Sequence, residues 1–309
     1  MPDAAVARIL AVVGPTASGK SDVALTLAKE RGGELISCDS VQVYRGFEIG
    51  CAKPSATQRR EVPHHLIDVA TWSEGFDAMR FRTLAEDALA DIRRRGRRPI
   101  LVGGTGLYLR ALRFGIADAP RADAELRQRL MAEEHASPGT LYARLRELDP
   151  PTAAVTDRNN LVRVVRALEI QALSGVPAST LRAGHGFARE QVPLRIVALT
   201  WPDHVLKERI RARSEQMLEL GLIAEVEALL KSGVAPACRP MTSVGYRETC
   251  AVVRDQAPVA GLAARIAART WAYARRQRTW LRKEAGVEWW SVTDLEVTAG
   301  ELLRSLGTS

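Results

Sequence analysis

The stretch Ile9-Leu-Ala-Val-Val13 followed by Gly14-Pro-Thr-Ala-Ser-Gly-Lys-Ser21 decides the fold class. A short β-branched run opens into a glycine-containing turn, and helical periodicity follows from Ser21 to about Arg31. The turn fits the spacing G-x-x-x-x-G-K-[ST] and lies between a predicted strand and a predicted helix, the context this motif requires. Glycines let the backbone curl so that its N–H groups face a phosphate, and the helix N-terminus adds a favourable dipole. Gly14, Thr16, Ala17, Ser18 and Gly19 are therefore candidates to cradle a pyrophosphate-like group. Lys20 would meet a phosphate oxygen as a point charge, and Ser21 would place its hydroxyl on Mg²⁺.

Working outward, Glu34–Ser37 reads as a second strand, Phe76–Arg95 as a helix ending in a basic turn and Gly96, and Ile100–Val102 as a third strand. Strand and helix alternating in this way argue for an α/β, P-loop NTPase-like parallel sheet with helices on both faces. From about Arg121 the pattern changes. Asp123–Glu134, Thr140–Leu148 and Asn159–Ser174 all read as helices with no strand between them. Strands return at Leu194–Leu199 and at Val287–Val292. The expectation is a core of residues 1–115 and 193–309, interrupted by a helical insertion over 116–192.

ATPases and GTPases usually pair a phosphate loop with an acid ending another strand, which helps hold Mg²⁺. The third strand here ends Ile100-Leu-Val-Gly-Gly-Thr-Gly106, without a carboxylate. Thr105 is a neutral hydroxyl among glycines, suited to close approach of an anionic oxygen. The acid in an equivalent place is Asp39, in Ser37-Cys-Asp-Ser-Val-Gln-Val-Tyr44. At the carboxyl end of a parallel strand it lies where open α/β sheets place ligands. It could hold Mg²⁺ through water or act as a general base toward an acceptor.

The chain has 309 residues, a net charge of +8, a pI near 9.7 and a hydrophobic fraction of 46%, enough for a large core. No apolar run approaches the roughly 18–20 residues of a membrane span, and Met1-Pro-Asp3 opens no secretory signal. A cytoplasmic protein is expected, with monomer as the default state. Cys38, Cys51, Cys238 and Cys250 fit no zinc spacing and read as reduced thiols. His64 and His65 are adjacent, so on a strand they would point to opposite faces rather than share a metal. The charge is spread evenly except between Arg254 and Lys283, where eight basic residues face Asp255 alone. Such a concentration is either a nucleic-acid footprint or a solvated helix face.

These motifs resemble the tRNA dimethylallyltransferase (tRNA isopentenyltransferase) family, bacterial type without a zinc finger. The resemblance runs nearly end to end: GPTASGKS at Gly14–Ser21, DSVQVYRGFEIGCAKP at Asp39–Pro54, HHLID at His64–Asp68 and GGTGLYLRAL at Gly103–Leu112. It continues with NNLVRVVRALE at Asn159–Glu169, GYRE at Gly245–Glu248 and YARRQRTWLR at Tyr273–Arg282. The resemblance implies transfer of a dimethylallyl group from dimethylallyl diphosphate to N6 of the adenosine 3′ of the anticodon, in tRNAs reading codons that begin with U. It implies that the loop and Mg²⁺ grip a leaving pyrophosphate, with Lys20 and Thr105 assisting and Asp39 as general base. Among Arg209, Arg211 and Arg213, it favours Arg213 at the diphosphate. Candidate contacts to the anticodon stem-loop are Asp39, Ser40, Val41, Gln42, Thr105, Arg127, Arg163 and Arg166, then Gly245, Tyr246, Arg247, Arg275, Arg276, Gln277, Arg278, Trp280 and Arg282. Two departures stand out: Cys51 where the family often has Thr, and Val41 where Met is common.

Three other readings compete. A small-molecule P-loop kinase would also suit an acid after the second strand, but has no need of the insertion or the basic segment. An adenylate prenyltransferase would share the core and act on free nucleotide. A non-catalytic RNA-binding protein would have no reason to keep Lys20, Ser21, Asp39 and Thr105 together.

Overall fold

A computed structural model describes residues 8–186 and 189–307. Six strands form one sheet: β1 (Ile9–Val13), β2 (Gly33–Cys38), β3 (His64–His65), β4 (Arg98–Gly103), β5 (Leu194–Thr200) and β6 (Val287–Ser291). Their order is β3-β2-β4-β1-β5-β6, and every pairing is parallel. All residues of β1 and β2 are buried. A parallel sheet covered on both faces explains why these strands read as near-continuous apolar runs instead of alternating.

Register places the functional loops side by side. Gly103 at the end of β4 is level with Cys38 of β2 on one side and Val13 of β1 on the other. The phosphate loop, the Asp39 loop and the Gly103–Gly106 turn therefore all leave the sheet at one level, at its carboxyl edge.

The helices are α1 (Lys20–Arg31), α2 (Ala56–Glu61), α3 (Ala78–Arg94), α4 (Gly106–Phe114), α5 (Ala124–Ala136), α6 (Thr140–Leu148) and α7 (Pro150–Ala154). They continue with α8 (Leu161–Ser174), α9 (Ala178–His185), α10 (Asp203–Glu219), α11 (Leu222–Lys231), α12 (Tyr246–Asp255), α13 (Leu262–Leu281) and α14 (Leu295–Ser305). The residues of α3 show why it forms. Asp77 caps its start by accepting from the Arg80 N–H, and Phe81, Ala85, Ala88, Leu89 and Ile92 make one buried stripe. Arg93 and Arg94 then complement the dipole of the last turn.

The described residues fall into two compact units. One runs up to Arg113 and resumes at Gln191; the other is Phe114–Glu190. In the first, Val12, Leu27, Leu35, Ile100, Val197, Leu199 and Leu302 meet in the core between sheet and helices. The second is all-helical, with Leu130, Leu141, Leu145, Val164, Val165 and Leu168 at its centre. The short elements α2, β3, α7 and α9 were not readable from periodicity. Nor was α4, which starts within the Gly103-Gly-Thr-Gly106 turn, nor α14.

Candidate active site

The phosphate loop is held open from several sides. Gly14 has φ +151°, and a Cβ there would lie 2.8 Å from the Leu199 carbonyl, so only glycine fits. Ala17 takes a left-handed conformation at φ +64°, and its carbonyl accepts from Arg209 Nε at 2.9 Å. The Ser18 carbonyl accepts from Trp201 Nε1 at 3.0 Å. Ser18 is fully buried and its Oγ has no hydrogen-bond partner among the described residues. Such a buried hydroxyl calls for a partner that the described residues do not supply. Gln277 of α13 spans two loops: its Oε1 accepts from the Thr16 N–H at 2.9 Å and its Nε2 donates to the Gly104 carbonyl at 3.0 Å. Gly19 caps α1, leaving Lys20 and exposed Ser21 in its first turn.

The loop opens on a cleft of about 1240 Å³ whose walls include Lys20, Ser21, Asp39, Arg213, Tyr273 and Gln277. Among the described residues, Lys20 Nζ makes a single long hydrogen bond, 3.3 Å to the Pro15 carbonyl. Burial, followed by the nearby Arg213 charge, lowers its pKa to about 8, against the pull of Asp39. Burial likewise lowers Arg213, again with Asp39 opposing. Both cations border the cleft, and burial disfavours the charged form of each. Two cations held this way, with no ion-paired carboxylate among the described residues, form a preorganised anion site. Of the α10 arginines, Arg209 and Arg213 both line the cleft, Arg209 also donates to the Ala17 carbonyl, and Arg211 is exposed.

Asp39 sits just beyond β2. Its Oδ1 accepts from the backbone N–H of Val41 at 2.8 Å and of Gln42 at 3.2 Å. The second carboxylate oxygen accepts no hydrogen bond among the described residues, so one oxygen is anchored and one is uncommitted, on a residue that lines the cleft. Thr105 locks the adjoining turn. Its Oγ1 accepts from the Ser40 N–H at 3.1 Å, and its own N–H donates to the Cys38 carbonyl at 3.2 Å. Gln42 is occupied within the protein. Ser37 Oγ donates to its Oε1 at 2.9 Å, and its Nε2 donates to the Cys51 and Ala52 carbonyls, both at 3.2 Å. Val41 lines the cleft, as does Cys51, whose thiol burial pushes far above the ordinary range, so it stays protonated.

A phosphate loop with an acid after β2 rather than after β4 can now be set beside known proteins. The IPP transferase family model matches residues 42–284. The chain is 49% identical over 284 residues to the tRNA dimethylallyltransferase of Anaeromyxobacter sp. strain Fw109-5, covering 91% of this chain and 94% of that one. It is 43% identical over 290 residues to tRNA dimethylallyltransferase 1 of Pelobacter propionicus, covering 94% of each. This chain belongs to the tRNA dimethylallyltransferase family. Among solved structures, the full-length tRNA isopentenylpyrophosphate transferase of Bacillus halodurans aligns at a TM-score of 0.71 and 36% identity, covering 97% of this chain and 95% of that one. A eukaryotic dimethylallyltransferase acting on tRNA aligns at a TM-score of 0.73 and 28% identity, covering 94% of this chain and 75% of that one.

In this dimethylallyltransferase family member, the other candidate residues divide by what already holds them. Tyr246 is fully buried and donates to Glu225 Oε1 at 2.5 Å, while accepting from the Gly50 N–H at 3.1 Å. Gly245 beside it is buried too, and of the three only Arg247 is exposed. Trp280 packs on Gly106, where a Cβ would come within 2.3 Å of its ring. Arg278 pairs with Asp203 at 2.5 Å, whereas Arg276 is exposed with its guanidinium 5.7 Å over the Tyr273 ring. Arg275 and Arg282 are exposed on and just past α13. Within the helical unit, Arg127 and Arg166 both grip the buried Glu169, at 2.8 and 2.5 Å, and Arg166 also donates to the Pro120 carbonyl at 2.7 Å. Arg163 is exposed in the first turn of α8.

Among the described residues no helix is long and apolar enough to cross a membrane, and no group of three or more His, Cys, Asp or Glu is arranged to hold a metal. The cleft does offer hard oxygen donors in the Ser21 hydroxyl and the Asp39 carboxylate. That donor set fits Mg²⁺, which retains water and shares substrate phosphates instead of needing an all-protein cage.

Proposed function

We propose that this chain transfers the dimethylallyl group of dimethylallyl diphosphate to N6 of the adenosine 3′ of the anticodon in tRNA. The products are N6-dimethylallyladenosine and pyrophosphate. The observation that carries the reading is the shared cleft: Lys20 and Arg213 line it together with Asp39, the acid that follows β2, and Asp39 acts on both cations more strongly than Asp22 does. An enzyme built to hydrolyse a nucleotide would want an acid after β4, where this chain has Gly103-Gly-Thr-Gly106.

Breaking an allylic carbon–oxygen bond puts negative charge on the departing diphosphate. The loop N–H groups, the Ser18 hydroxyl, Lys20 and Arg213 meet that charge, and fixed donors in a dry site lower the barrier most. When bound, Mg²⁺ neutralises part of the diphosphate charge, with Ser21 as its protein ligand. The adenine N6 lone pair is delocalised into the ring and is a weak nucleophile. The uncommitted Asp39 oxygen takes one N6 proton, while the anchored oxygen fixes the carboxylate plane. The target adenosine lies in a loop, so extruding it costs a few kcal/mol of stacking rather than a broken duplex. Arg163, Arg247, Arg275, Arg276 and Arg282 are exposed and suited to phosphate contacts.

The test uses Mg²⁺, radiolabelled dimethylallyl diphosphate, and bulk tRNA or AMP as acceptor. Label in tRNA is expected. Label in AMP would point to the free-nucleotide prenyltransferase. ATP turnover on a small alcohol, with label in neither acceptor, would sink the reading.

A further inference from the structure

The loop that carries Asp39 has little regular structure of its own. Between Asp39 and Pro54 the backbone makes turns and one isolated bridge, Tyr44 to Ala70. Side chains must therefore hold its shape, and one of them is almost entirely enclosed. Lys53 has only 1% of its side chain exposed. Its ammonium has three donors and finds three acceptors: the Tyr44 carbonyl at 2.7 Å, Glu48 Oε1 at 2.8 Å and Asp68 Oδ1 at 2.5 Å. Arg59 completes the group on Asp68 Oδ2 at 2.7 Å. The two cations and two carboxylates balance, so the buried ammonium is matched in both charge and hydrogen bonds.

This quartet connects to Asp39 through one residue. The Asp68 N–H donates to the Gln42 carbonyl at 3.2 Å. The Gln42 amide donates to the carbonyls of Cys51 and Ala52, directly before Lys53. The Gln42 N–H in turn donates to Asp39 Oδ1 at 3.2 Å. Lys53 thus draws the Ala52–Pro54 segment and Asp68 together around Gln42, and Gln42 fixes the carboxylate. Two non-glycine residues in the left-handed region, Ala52 at φ +47° and Asp68 at φ +58°, lie inside this clamp. Such conformations persist only where surrounding contacts impose them.

The geometry points to Lys53 and Asp68 as positioning residues that set the Asp39 carboxylate for proton removal. This rests on Asp39 acting as the base. Neither residue is assigned a part in holding diphosphate or RNA, so their loss should appear in the chemical step. A carboxylate displaced by about an ångström costs on the order of a hundredfold in rate, and loss of a supporting partner typically costs about ten- to hundredfold.

The experiment compares Lys53→Ala, Asp68→Asn and Asp39→Asn in the full chain, by single-turnover rates at saturating donor and tRNA and by both KM values. Lys53→Ala is expected to slow the single-turnover step about ten- to hundredfold with each KM within about threefold of the parent. Propylammonium, which matches the deleted atoms, should restore part of that rate, and tetramethylammonium should not. Asp68→Asn keeps the side-chain shape and the backbone N–H, so it reports on the clamp's charge even if Lys53→Ala folds poorly; it should slow the same step. Asp39→Asn separates the two layers of argument. If it leaves the rate unchanged, the base reading fails. If Asp39→Asn is inactive but Lys53→Ala and Asp68→Asn turn over at the parent rate, the positioning role is wrong. A loss confined to KM would overturn it equally.

Discussion

Strand β2 begins beside one carboxylate's salt bridges and ends beside another carboxylate that has none. Glu34, 3% exposed, is gripped by Arg95 Nη2 at 2.8 Å and His65 Nε2 at 2.7 Å, and Arg95 also pairs with Asp91. Arg95, then His65, hold the Glu34 carboxyl below its ordinary range, against burial. Asp39, past the other end, makes no ion pair among the described residues, although Lys20 and Arg213 both feel its charge. One end of the strand saturates its charges within the protein. The other leaves two enclosed cations and a half-anchored carboxylate uncommitted. Charges that the fold could have paired, but does not, are those available to a ligand.

The sharpest way to break this comparison is at its catalytic end. Asp39→Ala should lower kcat by about 10²–10⁴, the usual worth of a positioned general base, while tRNA affinity in a binding assay changes only a few-fold. A large affinity loss with unchanged kcat would make Asp39 a binding residue instead.

Lys20 comes next. Lys20→Met should cost about 10²–10³ in kcat/KM, as for removal of one oxyanion donor. Its lowered pKa adds a pH signature. Lys20 is charged below about pH 8 and loses its proton as pH rises through that value, so donor KM should climb above about pH 8. Bound diphosphate favours the charged form, so kcat at saturating donor should stay level to a higher pH than kcat/KM. A donor KM flat to pH 9.5 would place the lysine away from the diphosphate.

The difference between the two ends of β2 also marks what the sequence could disclose. The phosphate loop and Asp39 lie within a few residues of a strand end, where local spacing is informative: Thr16, Lys20, Ser21 and Asp39 line the cleft, whereas Thr105 does not and instead accepts from the Ser40 N–H. The loop partners of Gln277 and Tyr246 were opaque for the opposite reason. Gln277 meets Thr16 across 261 positions, and Tyr246 meets Gly50 across 196. Chain order carries no sign of which distant partner will claim such a group. Arginines pose the same difficulty. Arg127, Arg163 and Arg166 look alike in sequence, yet the buried Glu169 takes the first and third and leaves Arg163 exposed. The insertion and the basic segment were legible because both are properties of long windows.

At the structural end of β2, Glu34→Gln should cost about 1.5–3 kcal/mol of stability, the range for a hydrogen bond to a charged group, with kinetic constants unchanged. A carboxylate with a depressed folded pKa stabilises above its unfolded pKa and loses that contribution as pH falls through the folded value. The parent should therefore lose Tm on acidification below about pH 5 more steeply than Glu34→Gln. Equal slopes would mean that the Arg95 and His65 contacts add nothing to stability.

The smallest effect asks whether the same rule, paired charges for the fold and exposed ones for the ligand, holds along α13. Arg276 and Arg278 are two residues apart, and the sequence treats them alike. Arg278 is bonded to Asp203 and only 16% of its side chain is exposed, whereas Arg276 is exposed over Tyr273. If tRNA phosphates meet this helix, Arg276→Ala should weaken binding across all tRNAs and reduce the salt slope by about 1. Arg278→Ala removes a charge that Asp203 already offsets, and Asp203 is then left to repel the phosphates. Its affinity should fall too, but Asp203→Ala with Arg278→Ala should recover most of that loss, which an arginine in direct phosphate contact would not permit. Equal slopes for the two single variants, without recovery in the double, would put both arginines on the RNA and end the rule at the edge of the cleft.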